Sequence, residues 1–176
     1  WRVDRLQKLV GEIEKTGGQA LAVAMDVTDA ESCQQALDTA QQHYGVINVL
    51  VNNAGVGDSR YSLKVDESSW DFVMDTNLKA AWRIAGEIAR RCIAAKCSAS
   101  IVNIASILGL RVGFGESTYT TAKAGLVQLT KAMAMELAGK NIRVNALCPG
   151  YFATELNGEY LHSEAGQAFL AKTPSG

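Results

Sequence analysis

Short apolar runs alternate along this chain with stretches of helical periodicity, and that alternation restricts the possible fold more than any other feature. Leu6, Leu9, Val10 and Ile13 recur at i, i+3, i+4 and i+7, which predicts an amphipathic helix over residues 3 to 15, stopped by Gly17-Gly18. Residues 20 to 25, Ala-Leu-Ala-Val-Ala-Met, are too short for a helix of usual length and lack polar alternation, as expected of a strand covered on both faces of a parallel sheet. Thr28-Asp29-Ala30-Glu31 reads as a capping box, opening a helix whose Cys33, Ala36, Leu37 and Ala40 share a face and which ends near Gly45. The pattern predicts further strands at 46 to 51, 100 to 105 and 142 to 148, and helices at 67 to 95 and 118 to 138. Strand and helix in alternation call for a single-domain α/β layered fold with a parallel sheet and right-handed crossovers. Ligands of such sheets bind beyond the carboxyl ends of the strands. The residues that follow each strand therefore matter most.

Composition narrows the function classes. The chain has 176 residues, 48% of them hydrophobic and 20% charged, enough to bury a sizeable core. Its formal net charge is -1 and no basic block stands out, which removes the electrostatic case for nucleic acid or an anionic membrane and points to a small-molecule partner. Cys33, Cys92, Cys97 and Cys148 have no Cys-x-x-Cys spacing and no histidine pattern, so neither a metal site nor a disulfide framework is expected. No apolar run approaches a membrane span of about 20 residues. Trp1-Arg2-Val3-Asp4-Arg5 does not read as a signal peptide, and a cytoplasmic location is expected. The chain opens without Met inside a helical pattern and stops at Thr173-Pro174-Ser175-Gly176, which reads as a fragment of a longer protein.

Two sets of residues carry chemistry. After the strand ending at Val51 comes Asn52-Asn53-Ala54-Gly55, a turn whose small residues let another group approach the backbone, or an ordinary strand-to-helix turn. After the strand ending near Ala105 comes Ser106, and later Tyr119 opens a helix with Lys123 four positions on. Residues at i and i+4 share a helix face, so the ammonium is expected to favour the ionised phenol and lower its pKa from about 10. Ser106 is then able to hold a substrate oxygen by a hydrogen bond within reach of that phenol. The plain alternative is a surface tyrosine, a solvated lysine and a turn serine. A serine hydrolase is disfavoured, because only His43 and His162 exist and no Gly-x-Ser-x-Gly elbow occurs.

Taken together, Asn52-Asn53-Ala54-Gly55, Asn77, Ser106, Tyr119-Thr120-Thr121-Ala122-Lys123 and Cys148-Pro149-Gly150 with Thr154 resemble the short-chain dehydrogenase/reductase family in order and spacing, from residue 1 to about 173. The resemblance implies a Rossmann-type doubly wound parallel sheet that binds NADP or NAD. It implies hydride transfer between the nicotinamide and a ketone or secondary alcohol, with a catalytically inactive binding protein of the same fold as the alternative. In that reading Tyr119 is the acid/base and Ser106 orients the substrate oxygen. Lys123 contacts the nicotinamide ribose and tunes Tyr119, while Asn77 holds a water in a proton relay unless it is only a polar residue in a long helix. Asp26 and Val27 border the adenine, Asn52, Ala54 and Gly55 line the adenosine side, Ile104 lies near the nicotinamide ribose, and Pro149, Gly150 and Thr154 lie near the nicotinamide amide. Asp26 serves equally as part of the turn before the capped helix.

The departures are as informative. The family's glycine-rich phosphate loop is not in the sequence, and Gly113-Phe114-Gly115 does not replace it, because position 118 is Thr and no strand immediately precedes it. That segment reads as a loop bordering the substrate. Arg2 hints at NADP, since a guanidinium pairs well with phosphate, yet an exposed arginine on a first helical turn is equally ordinary. Only three residues separate Tyr119 from Lys123, which favours ketone or alcohol chemistry over enoyl reduction. The whole chain, 1 to 176, reads as part of a dinucleotide-binding domain in which 151 to 173, with Tyr151, Phe152, Leu156, Tyr160, Leu161 and Phe169, forms a substrate loop or lid. The helices at 67 to 95 and 118 to 138 correspond to those that commonly form a dimer interface in the family, with Ala80, Ala81 and Ala85 permitting close packing in a homodimer or homotetramer.

Overall fold

Three of the apolar runs pair side by side. In the computed structural model, which describes residues 3–152 and 163–171, Val49–Asn52 (β1), Ala99–Ile104 (β2) and Ile142–Leu147 (β3) form a parallel sheet in the order β1-β2-β3. Val51 lies opposite Val102, and Val102 opposite Asn145. Parallel neighbours require crossover connections. Helices α1 (Val3–Lys15) and α2 (Ala30–Tyr44) precede the sheet. The first crossover runs through α3 (Glu67–Met74), a π-helical turn (Asp75–Lys79) and α4 (Ala80–Ala94), the second through α5 (Ser117–Leu137), and α6 (Glu164–Leu170) follows β3.

The structure departs from the sequence pattern at four places, each with a local reason. The run 20 to 25 joins no ladder among the described residues, so it is not a strand there; an unbroken apolar run signals burial and does not supply a neighbour to pair with. The strand expected at 46 to 51 starts three residues later, where β2 first comes alongside: the Ser100 N–H donates to Asn48 O at 2.9 Å. The cap of α2 is Asp29, which accepts from the Glu31 N–H at 3.0 Å. Thr28 is taken by Asp26, whose Oδ1 accepts from its N–H at 2.8 Å and its hydroxyl at 2.6 Å. The helix expected over 67 to 95 is interrupted by the π turn around Asn77.

One layer of helices builds the core. Ala85, Ile88, Ala89 and Cys92 of α4 and Met133 of α5 pack on Ala99 and Ile101 of β2 and Ile142 and Val144 of β3. Each fully buried isoleucine contributes about 1.5–3 kcal/mol. Burial alternates along the strands, in step with the sequence in β3, where buried Ile142 and Val144 alternate with exposed Arg143 and Asn145. Val49, Val51 and Leu147 on the other face are 63%, 55% and 56% exposed, so among the described residues the sheet is covered on one face. Ala80, Ala81 and Ala85, expected at a dimer interface, are buried inside the protomer. The large apolar side chains these helices present outward are Trp70, Phe72, Trp82, Ile93 and Met135.

Candidate active site

Because the strands are parallel, the segments following β1, β2 and β3 emerge along one edge of the sheet. Pairing continues a little past the strands: Ala105 N–H donates to Leu147 O and Ile107 N–H to Pro149 O, both at 2.8 Å. The Ser106 and Pro149 segments are thereby locked together. Ser106 is extended and caps a 3-10 turn, Ile107–Gly109, its Oγ accepting from Leu108 N–H at 3.1 Å. That turn lies directly on α5, since a Cβ on Gly109 would fall 2.8 Å from the carbonyl oxygen of Lys123. Only glycine permits this backbone approach. It is what holds Ser106 beside the opening of α5, and the sequence pattern gave no sign of it.

Tyr119 and Lys123 lie one turn apart on α5, with Lys123 Nζ 5.7 Å from the centre of the tyrosine ring. Lys123 is 3% exposed and donates to Ile104 O at 2.7 Å. Burial pulls its pKa down to about 8. The expectation that Lys123 lowers the Tyr119 pKa is reversed. Burial of the phenol raises it above the ordinary value, the hydrogen bond with Ser106 works in the opposite direction, and the charge of Glu116 adds to the rise. Desolvation penalises phenolate, and the ammonium that was to offset it is bonded to the Ile104 carbonyl. At neutral pH the tyrosine is a proton donor.

Asn77 is 1% exposed inside the π turn. Its Oδ1 accepts from Val56 N–H and its Nδ2 donates to Val56 O, both at 2.8 Å, so it clamps the loop that follows β1. A Cβ on Gly55 would sit 3.4 Å from Asn77 Oδ1 and 3.5 Å from Lys123 Nζ. Gly55 therefore keeps an open space between the two polar ends. Gly55, Asn77, Ile104, Ser106, Tyr119 and Lys123 form one cluster.

The other candidates stand apart from it. Asn52 donates through Nδ2 to Ala81 O at 3.2 Å and to Asn103 Oδ1 at 2.9 Å, and Asn103 donates to Thr130 Oγ1 at 2.8 Å. This chain ties β1 through β2 to α5, with Asn103 wholly buried. Asn103 and Thr130 carry no local signal of that role, because their partners are remote in sequence. Asp26 is held below the usual carboxylate range by its hydrogen bonds from Thr28. The carbonyls of Val27 and Thr28 accept from Arg83 Nη1 at 3.2 and 3.0 Å. Asp26 and Val27 are thus fixed to α2 and α4. Ala54 is exposed in the loop after β1, and Gly150 has open space where a side chain would stand. Thr154 and Arg2 lie outside the described residues, as does the whole segment between Phe152 and Ser163.

A rim of loops surrounds the cluster. Glu116, the residue before α5, accepts at Oε1 from the Ser59 hydroxyl at 2.8 Å, and a Cβ on Gly113 would meet its Cγ at 3.3 Å. Arg60 grips Asp58 at 2.6 Å and reaches Asp66 at 3.2 Å. Tyr61 and Phe114 meet edge to face with ring centres 5.2 Å apart, and Leu110, Val112 and Phe114 are well exposed. Among the described residues there is no group of three or more His, Cys, Asp or Glu side chains placed to hold a metal, and no helix long and apolar enough to cross a membrane. The four cysteines are free thiols.

A protein-family model, short chain dehydrogenase, matches residues 1–165. The chain belongs to this family of oxidoreductases. A 3-oxoacyl-[acyl-carrier-protein] reductase of Thermotoga maritima is 35% identical over 98% of this chain and 70% of its own length. Nodulation protein G of Azospirillum brasilense is 35% identical over 84% of this chain and 59% of its own. The crystal structure of a putative gluconate dehydrogenase from Agrobacterium tumefaciens superposes with a TM-score of 0.92 at 34% identity, covering 97% of this chain and 68% of that one. A gluconate 5-dehydrogenase from Burkholderia cenocepacia, solved in complex with NADP and tartrate, gives 0.88 at 30% identity, covering 94% and 64%. The short-chain dehydrogenase chain described here thus spans about two thirds of the length of these relatives. Its fold is the Rossmann-type α/β fold with a parallel sheet.

Proposed function

We propose that this chain carries the reacting groups of an enzyme that transfers a hydride between a nicotinamide cofactor and a ketone or secondary alcohol. The observation that carries the reading is Lys123: a buried ammonium, one turn from a half-buried tyrosine, with no acidic partner among the described residues. An ammonium has three N–H donors. One is spent on Ile104 O, and the space kept open by Gly55 lies against the others. A vicinal diol such as a ribose fits that donor set. Lys123 and Tyr119 would hold the nicotinamide ribose beside Ile104, with Pro149, Gly150 and Thr154 at the amide and Asn52, Ala54, Gly55, Asp26 and Val27 toward the adenosine.

The cofactor supplies the hydride; the chain handles the proton. Ser106 donates a hydrogen bond to the substrate oxygen and fixes it within reach of Tyr119. The phenol, kept protonated by burial, gives its proton to that oxygen in reduction and takes it back in oxidation. Lys123 then stabilises the phenolate left behind. Asn77 holds the loop after β1 through Val56, and in this reading it would also hold the water that returns the proton. NADP is favoured over NAD because of Arg2 and because a similar dehydrogenase was solved with NADP. The whole protein is a homodimer or homotetramer joined through the outer faces of α3 to α5.

The test is ketone-dependent oxidation of NADPH and NADH by the complete protein and by Tyr119→Phe. A loss of about 10²- to 10⁴-fold in turnover with cofactor binding retained is expected. Unchanged turnover in the variant refutes the acid/base role, and cofactor binding with no turnover by the unmodified protein returns the reading of a binding protein.

A further inference from the structure

We infer that Glu116 sets the charge selectivity of the site, so that the substrate is an uncharged ketone or secondary alcohol bearing an apolar or aromatic substituent. The inference rests on the proposed acid/base reading. A substrate oxygen bonded to both Tyr119 and Ser106 brings the groups on its carbonyl carbon to the rim beside the first turn of α5. Glu116 stands there, immediately before that helix, fastened by the Ser59 hydroxyl at 2.8 Å and backed by Gly113. Its charge is the one that acts on the Tyr119 phenol, raising its pKa.

The groups around Glu116 do not neutralise it. Burial, and the negative charge of Asp58 nearby, push the pKa of its carboxyl above the ordinary value, Ser59 offers a neutral hydrogen bond that works the other way, and Arg60 is engaged by Asp58 and Asp66. The rest of the rim is largely apolar, with Tyr61 against Phe114 and Leu110 and Val112 exposed beside them; its two cations, Arg111 in the same loop and Lys64 over the Tyr61 ring at 5.9 Å, make no ion pair with Glu116 among the described residues. A carboxylate on the substrate therefore meets like charge in a partly desolvated place, whereas an alkyl or aryl group meets rings. Repulsion between two like charges in a partly buried site is worth at least about tenfold in affinity. Relatives named for acid substrates, such as the gluconate dehydrogenases, thus share the fold with a chain whose rim is built for a different charge.

The complete protein, loaded with NADPH, is assayed with levulinate and with its methyl ester, a pair that differs in charge at nearly constant shape. The expected result is a kcat/KM at least about tenfold higher for the ester. In Glu116→Gln, which keeps an acceptor for Ser59, the ratio falls to within about twofold, chiefly through a lower KM for levulinate. Equal use of both by the unmodified protein, or an unchanged ratio in the variant, overturns the inference. If neither ketone is turned over, the proposed activity has failed on its own account. The same ratio is then read from calorimetric Kd values of the two compounds, where absence of a preference that Glu116→Gln removes overturns it equally.

Discussion

Replacing Lys123 by methionine is expected to stabilise the cofactor-free protein at neutral pH while abolishing its activity. Lys123 has a native pKa of about 8 against 10.5 for the free side chain. At about 1.4 kcal/mol for each tenfold in proton affinity, burying the charged form costs roughly 3 kcal/mol at pH 7. Methionine of similar length removes that cost but leaves Ile104 O without its donor, a loss of about 1–2 kcal/mol. The net gain is about 1–2 kcal/mol at pH 7. The sign follows from proton counting: between pH 8 and 10.5 the unfolded chain binds more protons than the native one, so the unmodified protein gains stability as pH rises through that window. The variant lacks this rise. Urea unfolding of both proteins from pH 6 to 11 checks it, and the variant's advantage should shrink above pH 8 and reverse by about pH 10. Saturating cofactor should also reverse the order at pH 7, because it binds the native lysine protein alone. A stability difference that does not change with pH would refute the reasoning, since it would mean that Lys123 is not charged at a cost.

Three further outcomes are expected. Gly55→Ala places a methyl at van der Waals distance from Asn77 and Lys123, where the backbone accepts it, so cofactor affinity should fall at least about tenfold with the melting temperature nearly constant; equal affinity in a fluorescence titration refutes the role of the open space. Asn103→Ala breaks the tie between Asn52 and Thr130 and should cost about 2–4 kcal/mol in urea unfolding, whereas a loss below about 1 kcal/mol removes that network from the account of stability. Trp82, more than half exposed on α4, should be covered in the homo-oligomer, so Trp82→Glu should bring the light-scattering mass of the complete protein down to one protomer; a single-protomer mass before substitution refutes the interface.

The helices were the most legible part of the fold. Leu6, Leu9, Val10 and Ile13 delimit α1, and α5 ends within a residue of its periodic pattern, because a helix writes its buried face into local spacing. Pairing is not local. Residues 20 to 25 are wholly apolar but have no neighbouring strand among the described residues, and the start of β1 is fixed by where Ser100 meets Asn48. At the site, spacing put Tyr119 and Lys123 on one face but gave the wrong sign for the phenol, since burial is a property of the packed fold. Gly109, Asn103 and Thr130 escaped notice for the same reason. Each acts on a partner that only the folded chain brings near.

The π turn at Asp75–Lys79 amounts to one residue of surplus chain in an otherwise continuous helix. Removing one residue from it would heal the helix, restoring the usual rotation of about 100° per residue and leaving α4 in phase with the core. Deletions inside helices normally wreck the packing that follows. Here the deletion should be tolerated by the fold and felt by the chemistry, because what disappears is the bulge that lets Asn77 hold Val56. The extra residue thus separates what the helix needs in order to fold from what the site needs in order to work, and a family member without it should still fold but lack this brace.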